Sequence, residues 1–547
     1  MKPVVYDFKR LFIRASTLIA LILFTVAGVG LAYITTQTVV TRNPQELYGG
    51  IVLYRLDPSR GVLELIPGVY DHDLKPVDVK ISVQIHSLKN STVINLGDYR
   101  IKGDTPLKLE FNDTVKQYFT PLDSALWINY GVEIGGFTIR EGGRLLESAP
   151  LVPQNNTISM VFSGCFNLGS YGIEDAGYII PGSDDTGVAR DTRPCYSIIP
   201  TSGKIYVIAG VAKIVKEPVS LYYNVSKVLY NSTDQSTDSS IYMRYEETMC
   251  GVDTRNVSLC QFKLLGSIEE GMKIYQYTIS VPSEVLDDSK LVCLTMVYTA
   301  GNSTGVYQYI LNLRGAAEVV TASIMQAGIS LFSSFFPVIM LYLAYTSIAK
   351  PKSQGALEFI LARPVTRTDV YITRYTAGVL VALVAPALLV ASLYIGIRVL
   401  LHITLSSSDL LLIYTGLAAS LVAFYTLVYY AAVELKGSLY LATAIGLYVF
   451  FLVVIKIIGV ITSITVFHAT TLEEFTRIQL LFSYFNPLQL LDLITAPITY
   501  KSVVYEGMVN VVREVVKPEY IALAFTAWTL IPFILGLYRF KRKDLSS

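Results

Sequence analysis

The chain has 547 residues, of which 52% are hydrophobic and only 16% charged, and its formal net charge is +1. A soluble domain carries about 25% charged residues, so this composition points to a membrane protein with a polar domain attached. The near-neutral balance excludes nucleic acid as a partner, because no lysine- or arginine-dense face is available to track phosphates.

Lys2, Lys9, Arg10 and Arg14 precede an uncharged run from Ala15 to about Thr35. Its apolar part exceeds the h-region of a signal peptide, about 7 to 15 residues, and reads as a retained membrane helix starting in the cytoplasm. A cleaved signal is the competing reading, since Ala27-Gly28-Val29-Gly30 supplies small residues.

The character changes over 37–317. All seven N-x-[ST] acceptor sequences of the chain fall here, at Asn90, Asn112, Asn155, Asn224, Asn231, Asn256 and Asn302, and so do all five cysteines. Together these mark an outward-facing, glycosylated domain in an oxidising compartment. Acidic residues outnumber basic ones, which gives no bulk attraction for an anionic ligand. Period-two runs rich in Val, Ile, Tyr and Thr at 77–88, 157–164, 204–215, 219–230, 272–281, 290–298 and 304–313 predict antiparallel strands in one or two sandwich-like units. A loop-rich patch is expected over 164–201, where Asp184 and Asp185 form a solvated turn and not a cation loop. Cys250 and Cys260 are close enough to clip one loop, and Cys165 with Cys195 would make a second bridge. Cys293 is then left as a buried free thiol. A metal site is disfavoured by the lack of a C-x-x-C pair and by only four histidines.

From 318 to the end the chain is mostly apolar. Further spans are expected at 319–348, kinked at Pro337, and at 377–401, 410–433, 438–466 and 520–537, which with the first makes six. The segment 467–518 is interrupted by Glu473, Glu474, Arg477, Asn486, Pro487 and Asp492 and reads as re-entrant or outer interfacial helices. Arg539, Lys541, Arg542 and Lys543 place the last end inside. Lys456, deep in the fifth span, is a candidate either for an ion pair with a neighbouring helix or for the translocation path, and Asn486 and Pro487 are further path candidates.

Between the second and third spans lies a polar interruption, 349–375, with Lys350, Lys352, Arg363, Arg367 and Arg374, which the positive-inside rule assigns to the cytoplasm. From Gly355 to Arg363 it predicts about two turns of amphipathic helix, stopped by Pro364.

The order of residues there, Gly355, Leu357, Glu358, Leu361, Ala362, Pro364, Val365, Thr366 and Arg367, resembles the cytoplasmic loop of ABC-2 type transporter permeases, whose pattern runs roughly G-T-L-E-x-L-L-[SA]-x-P-[VI]-[ST]-R. Ala356 replaces the usual Thr, and Arg374 stands where Lys is common. The opening DFKRLFIR is similar to the lead-in of the same family.

The resemblance implies a coupling helix, with Gly355, Leu357, Glu358, Leu361, Arg363, Pro364 and Arg367 contacting a separate ATP-binding cassette ATPase. It also implies a dimer or pseudo-dimer of permeases in membrane lipid, with ATP and Mg supplied through the ATPase. It does not extend to the outer domain or choose a substrate, and export is the expected direction.

No G-x-x-x-x-G-K-[ST], G-x-S-x-G or H-E-x-x-H sequence is present, so no cofactor or catalytic site is expected in this chain. The alternative function is a glycosylated surface receptor or anchor. A membrane glycosyltransferase is disfavoured for want of an acidic pair at an outer helix end.

Overall fold

The computed structural model describes residues 13–542 apart from 43–46, 58–59, 88–91, 111–123, 135–136, 147–160, 170, 180–192, 214, 216, 232–246, 251–257, 287–289, 358–365 and 502–505. Two compact units result, a β-rich one over Val39–Ala316 and a helical one made of Met1–Thr38 and Ala317–Ser547.

The helical unit begins with α1 (Ala15–Arg42). A run follows in which α2 (Ala316–Ser323), α3 (Ser330–Ala344) and α4 (Lys350–Ser353) are joined by wider π turns at Ile324–Ile329 and Tyr345–Ala349. Then come α5 (Arg367–Leu401), α6 (Ser407–Glu434), and α7 (Gly437–Val449) joined to α8 (Ile455–Thr465) through a π turn at Phe450–Val454. The unit closes with α9 (Leu472–Ser483), α10 (Leu490–Lys501), α11 (Glu506–Val515) and α12 (Pro518–Arg542).

Among the described residues, five helical stretches are long and apolar enough to cross a membrane: Thr17–Val39, Arg367–Leu401, Ser407–Glu434, Gly437–Thr465 and Pro518–Arg542. The expected second span falls on the run α2 to α4, which is helical throughout, with π turns at Ile324–Ile329 and Tyr345–Ala349. Pro337 lies inside α3, and close by the Ser334 carbonyl accepts from the Tyr448 hydroxyl of α7. α6 is the hub: about two thirds of its apolar window is buried, whereas α7–α8 and α12 present mostly exposed apolar faces.

The interrupted segment forms α9, α10 and α11. Leu480, Leu490, Leu493, Ala496, Val511, Val512 and Val515 pack with Ala423 of α6, and Tyr484 and Trp528 close the cluster. α11 is strongly two-faced, with Val511, Val512 and Val515 inward and Arg513 and Glu514 outward. Glu514 pairs with Arg477 of α9.

The described residues of the β-rich unit form four antiparallel sheets. β1 (Tyr48–Asp57), β2 (Val62–Asp71), β5 (Leu107–Glu110), β8 (Val161–Asn167) and β10 (Asp175–Ile179) form one, in the order β10-β8-β1-β2-β5. A second is β4 (Val93–Lys102), β3 (Asp78–Ser87), β6 (Ser124–Ile134) and β7 (Phe137–Leu146). β16 (Lys273–Ser280), β12 (Lys204–Val211), β11 (Cys195–Thr201) and β9 (Tyr171–Ile173) form the third. The fourth joins β14 (Glu247–Cys250), β13 (Val219–Asn231), β17 (Leu291–Ala300) and β18 (Ser303–Asn312), with β15 (Lys263–Ile268) also on β13.

These sheets stack in layers. The β11–β12 sheet is covered on both faces: Ile199, Ile208 and Cys195 meet Ile51, Leu53 and Cys165 of the β1 sheet, while Ile198, Val207 and Ile279 meet Leu221, Leu294 and Leu311 of the β13–β17 sheet. On the far side of the β1 sheet, Phe166 stacks on Tyr130 of β6. Burial on both faces explains why β11, CYSIIPT, is buried along its whole length and lacks a polar–apolar alternation.

Two expectations are corrected here. The patch 164–201 is not loop throughout, because β9, β10 and β11 fall within it and β11 is a fully buried central strand. Asp184 and Asp185 lie outside the described residues. Cys165 bonds to Cys195, but Cys250 bonds to Cys293 and not to Cys260, which is left as an exposed thiol. Sheet pairing overrides proximity in sequence: Cys250 is in register with Val228 and Cys293 with Ser226, two positions apart on β13, which brings their Cα atoms to 5.6 Å. Closing loops of 30 and 43 residues is worth about 4 kcal/mol each by chain entropy.

Non-reducing peptide mapping should therefore recover Cys165–Cys195 and Cys250–Cys293 linked peptides, with Cys260 alone alkylated; a Cys250–Cys260 peptide would overturn this pairing. Burial also pushes the phenols of Tyr309 and Tyr277 up to about 12 and raises that of Tyr196, whose hydroxyl lies 3.1 Å from that of Tyr309. The unfolded phenols ionise near 10, so the stability these groups lend is whole below about pH 10 and is lost as pH rises through about 12. Melting temperatures measured between pH 9 and 12 should fall across that window, and Tyr309→Phe should flatten the fall.

Candidate coupling site

α4 ends at Gln354, and Gly355 follows with φ 67°, a left-handed value that favours glycine as a helix terminator. A new helical turn begins at Ala356 with Leu357 buried. The expected helix is thus preceded by a break at Gly355. Glu358, Leu361, Arg363 and Pro364 lie outside the described residues.

The motif's last residues have a visible physical role. Thr366 is the N-cap of α5, its hydroxyl accepting from the Asp369 N–H at 3.1 Å while the Asp369 carboxylate accepts from the Thr366 N–H. Such a capping box satisfies two orphan donors and is worth about 1 kcal/mol. It fixes where α5 begins.

Three basic residues of the segment reach helix-end carbonyls. Lys352, 5% exposed, donates from Nζ to the Val433 carbonyl in the last turn of α6 at 2.7 Å. Arg374, 3% exposed, donates to the Ser347 carbonyl in the π turn before α4 at 2.5 Å. Arg367 donates to the Lys541 carbonyl at the end of α12 at 3.2 Å. Arg14, at the start of α1, joins the set by donating to Thr346 at 3.3 Å. Glu434 and Arg539 pair at 3.3 Å across the ends of α6 and α12. Hydrogen bonds from charged donors are worth about 1.5–3 kcal/mol, and the negative end of a helix dipole favours a cation there.

Above this ring lies a knot of tyrosines whose hydroxyls bond to other helices. Tyr371 donates to the Phe533 carbonyl of α12 and Tyr429 to the Tyr371 carbonyl of α5, both at 2.9 Å. Tyr375 shares a bond with Thr426, and Tyr440 of α7 donates to Leu341 of α3. The rings of Tyr371, Tyr375, Tyr425, Tyr429 and Phe533 pack edge to face or stacked. Gly378 leaves the room that the Tyr425 ring occupies, since a Cβ there would overlap it.

The remaining expected residues separate. Lys456 is exposed on α8, within electrostatic reach of Asp492, which is exposed in the first turn of α10. Asn486 is fully buried and its amide is committed: Nδ2 donates to the Phe451 carbonyl of the π turn at 2.6 Å, and Oδ1 accepts from the Leu488 N–H. With Pro487 in the turn that follows, it acts as a corner between α9 and α10. Asn302 stands exposed in the β17–β18 turn, Asn224 is half-buried on β13 and Asn231 ends that strand, whereas Asn90, Asn112, Asn155 and Asn256 lie outside the described residues.

Sequence reasoning took Lys352 and Arg374 only as topology markers and passed over the tyrosines. The available signal was Tyr371 with Tyr375 and Tyr425 with Tyr429, four apart and so on one face of each helix.

The apolar helices gathered at these basic ends are those of a multi-pass membrane protein. Residues 216–545, more than half of the chain, match the family described as ABC-2 family transporter protein, and the chain belongs to it. The match begins just before β13, so it takes in the last part of the β-rich unit, which the sequence resemblance had left out; it omits α1 and the DFKRLFIR lead-in, of which Ile13 and Arg14 are among the described residues. No curated protein matches the chain.

Replacing Gly378 by Val should force the Tyr425 ring aside and cost about 1–3 kcal/mol by overpacking. A fall of several degrees in the melting temperature of the detergent-solubilised chain checks this, and an unchanged value would refute the packing.

Proposed function

We propose that this membrane component of an ABC transporter is an exporter permease driven by a separate ATP-binding cassette ATPase. The observation that carries this reading is the family match over 216–545 together with the ordered Gly355–Arg367 motif at the basic end of the bundle. The basic residues support a cytoplasmic location for that end, with both termini inside and the β-rich unit outside. The two disulfides and the exposed acceptor Asn302 support an outer, glycosylated location for that unit.

In this mechanism ATP and Mg bind the ATPase pair, and its closure displaces the coupling segments of two permease copies. The helix bundles then shift as rigid bodies between two states. Lys456 and Asp492, opposite charges exposed on otherwise apolar elements, are the path candidates, because a charge facing hydrocarbon is costly. Asn486 and Pro487 support the path from behind. An anchoring protein would have no use for the motif order or the family match.

Affinity purification in mild detergent should recover an ATPase with the chain, and Glu358→Ala with Arg367→Ala should reduce that recovery by about tenfold or more. Recovery of no ATPase from unaltered chain would overturn the reading.

A further inference from the structure

We infer that Lys352 and Arg374 are positioning residues that convert displacement of the coupling segment into movement of the spans. The inference rests on the proposed function. Both side chains are almost wholly buried, which is not how residues that only mark the inner face of a membrane sit; those keep their charged ends in water. Each is spent on a carbonyl of a different helix end.

Ser347 and Arg374 stand on the two sides of the coupling segment, so the Arg374 bond to the Ser347 carbonyl closes the base of that loop. The Lys352 bond to Val433 then ties the base to α6, the most buried of the apolar spans. The carbonyl that Arg374 takes belongs to the π turn Tyr345–Ala349, where the widened ladder leaves oxygens open to outside donors.

Immediately above, the tyrosine hydroxyls join α5 to α6 and α12, so whatever moves the start of α5 moves those helices with it. Loss of either cation would remove one tie between the base of the segment and the spans, leaving the Arg367 bond to Lys541 and the tyrosine hydroxyls to carry a smaller share of its movement to α6 and α12. Apolar replacement by Met keeps the length of the stem while removing the donor.

The test uses the full chain reconstituted with its ATPase in lipid nanodiscs. Cys260→Ser removes the exposed native thiol, and Ser408→Cys, exposed at the opposite end of α6, serves as reporter. Its alkylation by a hydrophilic maleimide is timed with and without ATP and vanadate. The reporter should respond to trapping in the parent. In Lys352→Met and in Arg374→Met that response should fall at least about fivefold while ATPase binding and hydrolysis persist, and Lys352→Arg should restore it, as expected of a donor replaced by a donor.

Variants that respond like the parent would overturn the inference alone. So would variants that lose ATPase binding, since the cations would then belong to the docking surface; if one variant fails to fold, the other decides. A parent that binds no ATPase, or whose reporter ignores the nucleotide, would instead overturn the transporter reading.

Discussion

In a bilayer, a carbonyl oxygen that its own helix leaves unbonded has no water to turn to, and one end of this helical unit is arranged around that constraint. Three π turns interrupt otherwise continuous spans, and each widened turn frees oxygens. Thr346 and Ser347 are taken by Arg14 and Arg374, and Phe451 by Asn486. The ends of α6 and α12 are treated likewise by Lys352 and Arg367. Remove these donors and the interruptions become orphan acceptors costing about 1–3 kcal/mol each, so the irregular turns depend on the donors that meet them.

The tyrosines extend the same logic into the apolar layer. A phenol offers a large apolar ring with one donor at its tip, so it fills the space between helices and still bonds a backbone oxygen. Tyr371 and Tyr429 do this in sequence, α6 to α5 and α5 to α12. The result is directional: three helices are fastened to one another at the end where the coupling segment enters, while α7–α8 remains lightly packed along most of its length.

Much of this was legible in the chain. The uncharged stretches gave the spans and the alternation in VDVKISVQIHSL gave β3, whereas α5 starts at Arg367, ten residues before the expected span at 377, because the capping box of Thr366 and Asp369 begins the helix inside the polar stretch. Strands covered on both faces were less legible. CYSIIPT has no alternation to betray it, because β11 is packed above and below. Disulfide pairing was hidden for a related reason: it depends on which strands lie beside β13, a long-range fact that spacing does not encode. The roles of Lys352 and Arg374 were masked by their usefulness as topology signals, since a basic residue near a span end is expected whether or not it is buried.

The layered β unit also constrains how the protein is made. β1 pairs with β8 and is covered by β11 and β12, so its apolar residues wait for a partner about 150 residues further along the chain. At a synthesis rate of about 5–20 residues per second, that is a delay of roughly ten to thirty seconds during which the first hairpin is bare on at least one face. Synthesis of the first strands and completion of their sheet are therefore separated in time, and the early strands need shielding until β8, β11 and β12 arrive.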